Sequence, residues 1–360
     1  MLTCDPQALL LLTRQVFEAC GAPTAEAGIV SEHLVENNLR GVDSHGVMRI
    51  PQYVQAVRDG VIRPGAAIVL KQETTNTAVV ACGWNFGMVG GIRAIQTAVA
   101  KAKAHTMGMV VTRCCNHAGR LGAYVEWAAL QGMIALGFCS SPRHGHFVAP
   151  WGGKEGRLAT NPIAFAIPNG DRPPLVSDFS TAQVPEGKIR LYQSQNRSLE
   201  DGWIMDATGR PSRSPADFYG PPQGAILPFG GQMGYRGYAL GLLVEIMGTT
   251  LAGEDSTSER AGNGLAFIVV DPTALVEHGH YCELIESLTS YVKSSEPMDY
   301  AKPVLLPGEL ERQVRLERQN KGVPIDESTW VHIVRTARAL GCETIPVARE
   351  MSGKQEGIGL

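Results

Sequence analysis

An alternation in the middle of the chain constrains the fold most. Residues 77–82 and 109–112 are β-branched, apolar runs of strand character. Between them, residues 90–105 carry Ile92, Ile95, Ala98 and Val99 on one helical side. A loop over 116–122 follows, then an apolar helical run over 123–131 and another strand over 133–139. Strand, helix, strand, loop, helix, strand in that order predicts an α/β unit with a helix-covered sheet. Residues 158–168, turning sharply at Asn161-Pro162, and residues 264–270 add strands. Residues 235–251 read as the longest amphipathic helix beyond the N-terminal ones, closed late by Gly253.

The two ends have a different texture. Residues 5–19 read as a helix with Pro6 in its first turn and Leu9, Leu10, Val16 and Phe17 near helical spacing; Gly21 and Pro23 end it. Thr24 is placed to cap a second helix to about residue 38, with Ile29, Val30, Leu34 and Val35 as its stripe. Pro51 starts a third, stopped by Asp59-Gly60, and residues 309–341 return to helices with a break at Pro324 and Asp326. The expected organisation is therefore an α/β domain with a mixed sheet over residues 71–295. A helical domain built from both termini, residues 1–70 and 296–360, accompanies it. Residues 190–222, polar and rich in Gly, Pro and Ser, are expected to form a long surface excursion.

Composition narrows the class. At 360 residues, 44% hydrophobic and 19% charged, the chain has the make-up of a soluble globular protein. A net charge of -3 and no polybasic run argue against nucleic acid and membrane partners. The apolar run over 127–142 is broken by Gln131 and two glycines and is too short to span a bilayer. The first dozen residues show no basic leader, so no signal peptide is expected. Eight cysteines, at 4, 20, 82, 114, 115, 139, 282 and 342, include no C-x-x-C pair. Reduced thiols in a cytoplasmic protein are expected. The sequon Asn196-Arg197-Ser198 carries no weight without a secretory signal.

Chemistry-bearing residues concentrate in Arg40-Gly-Val-Asp43-Ser44-His45-Gly-Val-Met-Arg49 and on to Tyr53. If the segment turns helically after His45, Arg49 lies four residues on and projects from the same face. That face would offer a proton donor near neutral pH and a planar fork for a carboxylate. The plainer alternative is an interhelical turn capped by Asp43 and Ser44.

No G-x-G-x-x-G is present; Gly83, Gly87, Gly90 and Gly91 have the wrong spacing. G-x-x-x-x-G-K-[ST] and H-E-x-x-H are also missing, so a bound dinucleotide would need another architecture. Asn116-His117 follows the 109–112 strand, at the sheet end where ligands collect, with Gly119 and Gly122 allowing close approach. Ser177-Asp178-Phe179-Ser180-Thr181-Ala182-Gln183 with Gly187-Lys188 suits a diphosphate, or is an ordinary polar turn. Pro228-Phe-Gly-Gly231 and Gly234-Tyr235-Arg236-Gly237-Tyr238 lead into a helix, where an anion can sit. His144-Gly-His146, and His278-Gly-His280 near Cys282 and Glu283, have a metal-like composition but no zinc spacing. Solvated loops are expected there.

With Thr160-Asn161-Pro162-Ile-Ala-Phe-Ala-Ile-Pro168 added, these segments resemble in order, over residues 5–345, the type-2 malate/L-lactate dehydrogenase family. That family also holds ureidoglycolate, sulfolactate and diketogulonate oxidoreductases and cyclic-imine reductases. The resemblance implies a non-Rossmann NAD(P)-dependent oxidoreductase, a homodimer with its active site between domains. His45 would be the proton donor to the substrate oxygen, Ser44 would help hold the substrate, and Arg49 would grip its carboxylate. Tyr53, Asn116 and His117 would face the substrate, His117 also the nicotinamide. Gly119, Thr160, Asn161, Pro162, Asp178, Phe179, Ser180, Thr181, Lys188, Tyr235, Arg236 and Gly237 match cofactor-contacting segments, as does the turn Pro307-Gly308-Glu309.

Arg236 departs from the family, in which lysine is common at this position, and Glu186 brings an acid near Lys188. The expected reaction moves a hydride between NAD, or NADP, and a small 2-oxo or 2-hydroxy acid. The slight preference for NAD rests on Glu186 repelling a 2′-phosphate. A cyclic imine carboxylate is the alternative substrate. A metal-dependent hydrolase using His144, His146, His278 and His280, or a binding protein without chemistry, are the readings from other classes.

Overall fold

The computed structural model describes residues 1–258, 262–343 and 345–350. The chain forms two compact units, one from residues 1–65 with those from Glu309 onward, the other from residues 66–308.

The central unit is built on a seven-stranded sheet. In spatial order its strands are Val69–Glu73, Thr77–Ala81, Met107–Arg113, Gly264–Val270, Ile134–Ser140, Ile163–Asn169 and Arg172–Phe179. Thr77–Ala81 and Met107–Arg113 run parallel and are joined by the helix Gly87–His105. Every other neighbouring pair is antiparallel, so the sheet is mixed and not a doubly wound parallel one. Gly264–Val270 sits in the middle, with Ala266 opposite Val111 on one side and Phe138 on the other. Its apolar sequence fits a strand covered on both faces. Gly87–His105 and Gly122–Ala129 cover one face, burying Ile95, Tyr124 and Phe267 together. Gly234–Gly248 covers the other through Val244, which packs with Val111, Phe138 and Ala266.

That last helix does not pack through an apolar stripe. Its inner face is glycine: a Cβ on Gly237 would lie 2.1 Å from the Phe229 carbonyl oxygen, and one on Gly248 2.7 Å from that of Gly264. The backbone therefore approaches the sheet too closely for larger side chains, and Leu240, Leu242, Leu243 and Ile246 turn outward. Their exposures run from 38% to 44%.

Residues 190–222 also differ from expectation. They are not a surface excursion but part of a small packed region holding a three-stranded sheet of Ala225–Ile226, Ile204–Met205 and Pro211–Ser212. Ile189, Leu199, Ile204 and Phe218 are fully buried there with Val148 and Leu158. The buried apolar residues come singly or in pairs from separate short stretches, which leaves no period to read.

In the terminal unit, Leu2–Cys4 pairs between Val323–Ile325 and Arg349–Glu350, so both chain ends share one small sheet. Around it lie the helices Pro6–Ala19, Thr24–Leu39, Ile50–Arg58, Glu309–Lys321 and Glu327–Ala339. Asp5 caps the first through the Ala8 amide at 2.8 Å. Thr24 does not cap the second; Pro23 holds that position and Thr24 is already helical. Among the described residues no helix is long and apolar enough to cross a membrane.

Candidate active site

The segment carrying His45 is two single turns of 3-10 helix, Asp43–His45 and Val47–Arg49, broken by extended backbone at Gly46. The α-helical face expected to carry both His45 and Arg49 is therefore not formed. Asn38 causes the break. Its Oδ1 accepts from the Val47 amide at 2.7 Å, and a Cβ on Gly46 would lie 2.1 Å from that same oxygen. Only glycine lets the chain pass. Arg49 instead folds back, donating from Nε to the Ser44 carbonyl at 2.7 Å and from Nη1 to Gln52 Oε1 at 2.8 Å. Its fork is thereby fixed one residue from His45. Ser44 Oγ lies 3.0 Å from His45 Nδ1, which sets the ring's orientation. Ser44, His45 and Arg49 are all half-buried.

Three residues that sequence reading missed brace this turn. Asn37, fully buried, donates from Nδ2 to the His45 carbonyl at 2.9 Å. Asn38 Nδ2 donates to Asp43 Oδ1 at 2.6 Å. Arg318 grips both Asp43 oxygens, at 2.6 and 3.0 Å, and also donates to the Asn38 carbonyl oxygen. The signal for the asparagines was present: two amides follow Leu34 at the spacing that should face inward. Arg318 had none, lying 275 residues from Asp43.

Tyr53 corrects an expectation. It is 2% exposed, its ring centroid is 6.4 Å from that of Phe17, and burial pushes its hydroxyl pKa well up. It belongs to the core and has no open surface for a substrate.

In the central unit the other candidates converge. Thr160, Asn161 and Pro162 meet the 178–182 turn: Thr181 donates from N to the Thr160 carbonyl at 3.0 Å and from Oγ1 to the Asn161 carbonyl at 2.9 Å. Ser180 Oγ donates to the Thr160 carbonyl at 2.8 Å. Asp178 accepts from the Gly122 amide at 2.7 Å, tying this turn to the Asn116–Gly122 loop. The Phe229 amide donates to the Thr181 carbonyl at 2.9 Å, and Gly237 packs on Phe229. Asn161 and Thr181 are 0% and 3% exposed, so their side chains shape backbone and do not face a ligand. Phe179, Tyr235 and Arg236 are exposed.

Asn116 is turned into the protein, donating from Nδ2 to the Trp84 and Asn85 carbonyls at 2.7 and 3.1 Å. Half-buried His117 follows it, and a Cβ on Gly87 would strike both residues' carbonyl oxygens. Gly119 adopts φ 69°. Lys188 sits 5.4 Å over the Trp203 ring. Glu186 is bound bidentately by Arg190 at 2.9 Å and by the Tyr219 hydroxyl at 2.8 Å. Its charge is thus countered, and the expected repulsion of a 2′-phosphate falls away. The Pro307 carbonyl accepts from Val176 at 3.2 Å, while Glu309 opens a helix of the terminal unit.

His144 lies within a 3-10 turn that His146 closes, but His278 and His280 begin the helix His278–Lys293 instead of lying in a loop. Among the described residues no group of three or more His, Cys, Asp or Glu is placed to hold a metal.

Residues 4–334 match the family model described as malate/L-lactate dehydrogenase. The chain belongs to that family. It is 31% identical to hydroxycarboxylate dehydrogenase B of Escherichia coli strain K12 over 94% of each chain. The sulfolactate dehydrogenase structure from Methanocaldococcus jannaschii superposes with a TM-score of 0.84 at 31% identity, covering 95% of this chain and 98% of that one. The Δ1-piperideine-2-carboxylate reductase structure from Pseudomonas syringae gives 0.80 at 25% identity, covering 93% and 100%. The protein is thus an oxidoreductase of a 2-hydroxy-acid dehydrogenase family.

Proposed function

We propose that this member of the family interconverts a small 2-oxo acid and its 2-hydroxy acid, with NAD or NADP as partner in the exchange. The observation carrying this reading is the His45 turn, where an imidazole held by a hydroxyl stands beside a guanidinium anchored on the same backbone. His45 exchanges a proton with the substrate oxygen at Nε2, the ring nitrogen turned away from Ser44. In the oxidative direction the neutral imidazole is the base. Arg49 grips the carboxylate with its Nη2 donors, and its anchorage to Ser44 fixes the acid's orientation relative to the imidazole. His117 faces the reacting end of the cofactor and substrate.

The donor set of the central unit fits a dinucleotide. The 15-residue helix Gly234–Gly248 begins without a side-chain cap, so its first amides suit a diphosphate. Nothing lies within 4 Å of where a Gly231 Cβ would be, and exposed Arg236 adds a cation in the first turn. Gly119, Phe179, Lys188, Tyr235, Pro307 and Gly308 complete the contacts we assign, with Thr160, Asn161, Pro162, Asp178, Ser180, Thr181 and Gly237 shaping the backbone beneath. A bound nicotinamide dinucleotide supplies or accepts the hydride.

A cyclic imine carboxylate is the second reading, supported by the structural likeness to the piperideine-2-carboxylate reductase. Arg49 would serve its carboxylate equally well. We also propose a cytoplasmic homodimer. The outward apolar residues Leu240, Leu243 and Ile246 suit a second copy of the same face. Sedimentation as a monomer at micromolar concentration would overturn the dimer.

The test of function is loss of reduced-nicotinamide absorbance from NADH and NADPH, each against 2-oxo acids and cyclic imine carboxylates. Turnover with a 2-oxo acid is expected. Turnover with imines alone would replace the first reading with the second, and failure to bind either cofactor would overturn both.

A further inference from the structure

Away from these candidates, the first turn of the His278–Lys293 helix forms one wall of a cavity of about 280 Å³. The hairpin turn at Asn169–Arg172 forms part of the opposite wall. Cys282 and His278 share the helix wall four residues apart, with Sγ 3.7 Å from Nε2. The facing turn supplies Asp171 and Arg172, and Gly170 at φ 59° presents no side chain. Even an added Cβ there would stand 3.9 Å from Cys282 Sγ, so the thiol is not crowded from that side. The Arg172 guanidinium is steadied by Thr289 Oγ1 at 3.3 Å and lies 3.9 Å from Glu286.

The other thiols lack this setting. Cys4, Cys82, Cys115, Cys139 and Cys342 are buried. Half-buried Cys20 donates to the Phe17 carbonyl at 3.2 Å, and burial pushes its pKa up to about 11. Half-buried Cys114 is pushed up by burial and by the neighbouring Glu254 carboxylate. Cys282 alone combines partial exposure, an imidazole partner and a cavity.

We propose that Cys282 is a mixed-disulfide site, with the cavity receiving an amino-acid-derived thiol delivered as its disulfide. The Cys282 proton passes to His278 Nε2, and the thiolate attacks one sulfur of the incoming disulfide. A bond forms between Cys282 Sγ and that sulfur while the original S–S bond breaks. The departing thiolate takes the proton back from His278. Cys282 is oxidised, the departing thiol is reduced, and no further oxidant is needed. Arg172 meets a carboxylate of the incoming group and Asp171 its ammonium, which distinguishes it from an uncharged disulfide.

The experiment treats the full chain with oxidised glutathione and follows intact mass and peptide maps over time. One glutathione per chain on Cys282, released by a thiol reductant, is expected, with no uptake by Cys282→Ser. His278→Gln should fold unchanged and slow the uptake about 10²-fold, the lower end of what a positioned base contributes. Arg172→Met should slow uptake from oxidised glutathione but not from uncharged hydroxyethyl disulfide. First modification at another cysteine, or an unchanged rate in His278→Gln, would overturn the site. Equal slowing with both disulfides in Arg172→Met would overturn the recognition assigned to the cavity.

Discussion

The turn bearing His45 and the cluster joined by Gly237 reach their geometry by opposite means. The first is held by side chains reaching in: two buried amides and a guanidinium clamp the backbone from Asp43 to Val47. The second is held by backbone lying on backbone, with glycines where two segments nearly touch. Under the function proposed above, the difference follows from the ligand each would hold. A proton donor needs one ring at one angle, which side-chain hydrogen bonds can set. A diphosphate needs a row of amides and free space, which missing Cβ atoms leave open. The first region should therefore break when atoms are removed, the second when one is added.

The largest effect should come from removing the imidazole. His45→Asn keeps a polar side chain but has no group that titrates near neutrality. We expect kcat to fall about 10²–10⁴-fold, the usual contribution of a positioned general acid. Affinity for the reduced cofactor, measured by its fluorescence on binding, should not change. Near-normal turnover would sink the role assigned to His45.

Adding one methyl group should damage the other region. In Gly237→Ala the new Cβ would stand 2.1 Å from the Phe229 carbonyl oxygen and 2.7 Å from its amide nitrogen. Both are backbone atoms and cannot rotate aside, so strain of about 1–3 kcal/mol is expected. Thermal unfolding should shift down and cofactor affinity should weaken. Unaltered affinity at lowered stability would separate Gly237 from the cofactor and leave it a packing residue alone.

The same contrast explains what the sequence makes legible. Ser44, His45 and Arg49 advertise themselves because their chemistry lies in adjacent residues, yet the helical face inferred for them fails at Gly46. A local rule could not foresee Asn38 entering the turn from the preceding helix. The sheet was readable where its strands are apolar on both faces, as at Gly264–Val270. It was not at Arg172–Phe179, which starts with an exposed Arg-Pro and looks like loop. Residues 190–222 were misread because the buried Leu199, Ile204 and Phe218 sit far apart, in a loop, a two-residue strand and a five-residue helix. The long helix with outward leucines misled for a related reason: hydropathy marks the apolar side, whereas close packing here selected the glycine side.

The smallest of these effects is also the sharpest probe of the bracing. Arg318 holds Asp43 through two charge-assisted hydrogen bonds, and Asp43 is the first residue of the turn that presents His45. Arg318→Met keeps much of the stem's length and removes the fork. Asp43 retains Asn38 Nδ2, and its side chain is 46% exposed, so water replaces part of what is lost. The cost should therefore fall well short of that for a buried charge left alone. What changes is the aim of the ring. We expect kcat to drop about tenfold, equivalent to about 1.4 kcal/mol, with cofactor affinity unchanged. The Michaelis constant for the acid should rise with it, because Arg49 hangs on the Ser44 carbonyl of the same turn. Arg318→Lys should recover only part of the loss, since a point charge cannot bridge both oxygens. A variant that loses thermal stability but keeps both kinetic constants would show that the clamp supports the fold and not the proton donor.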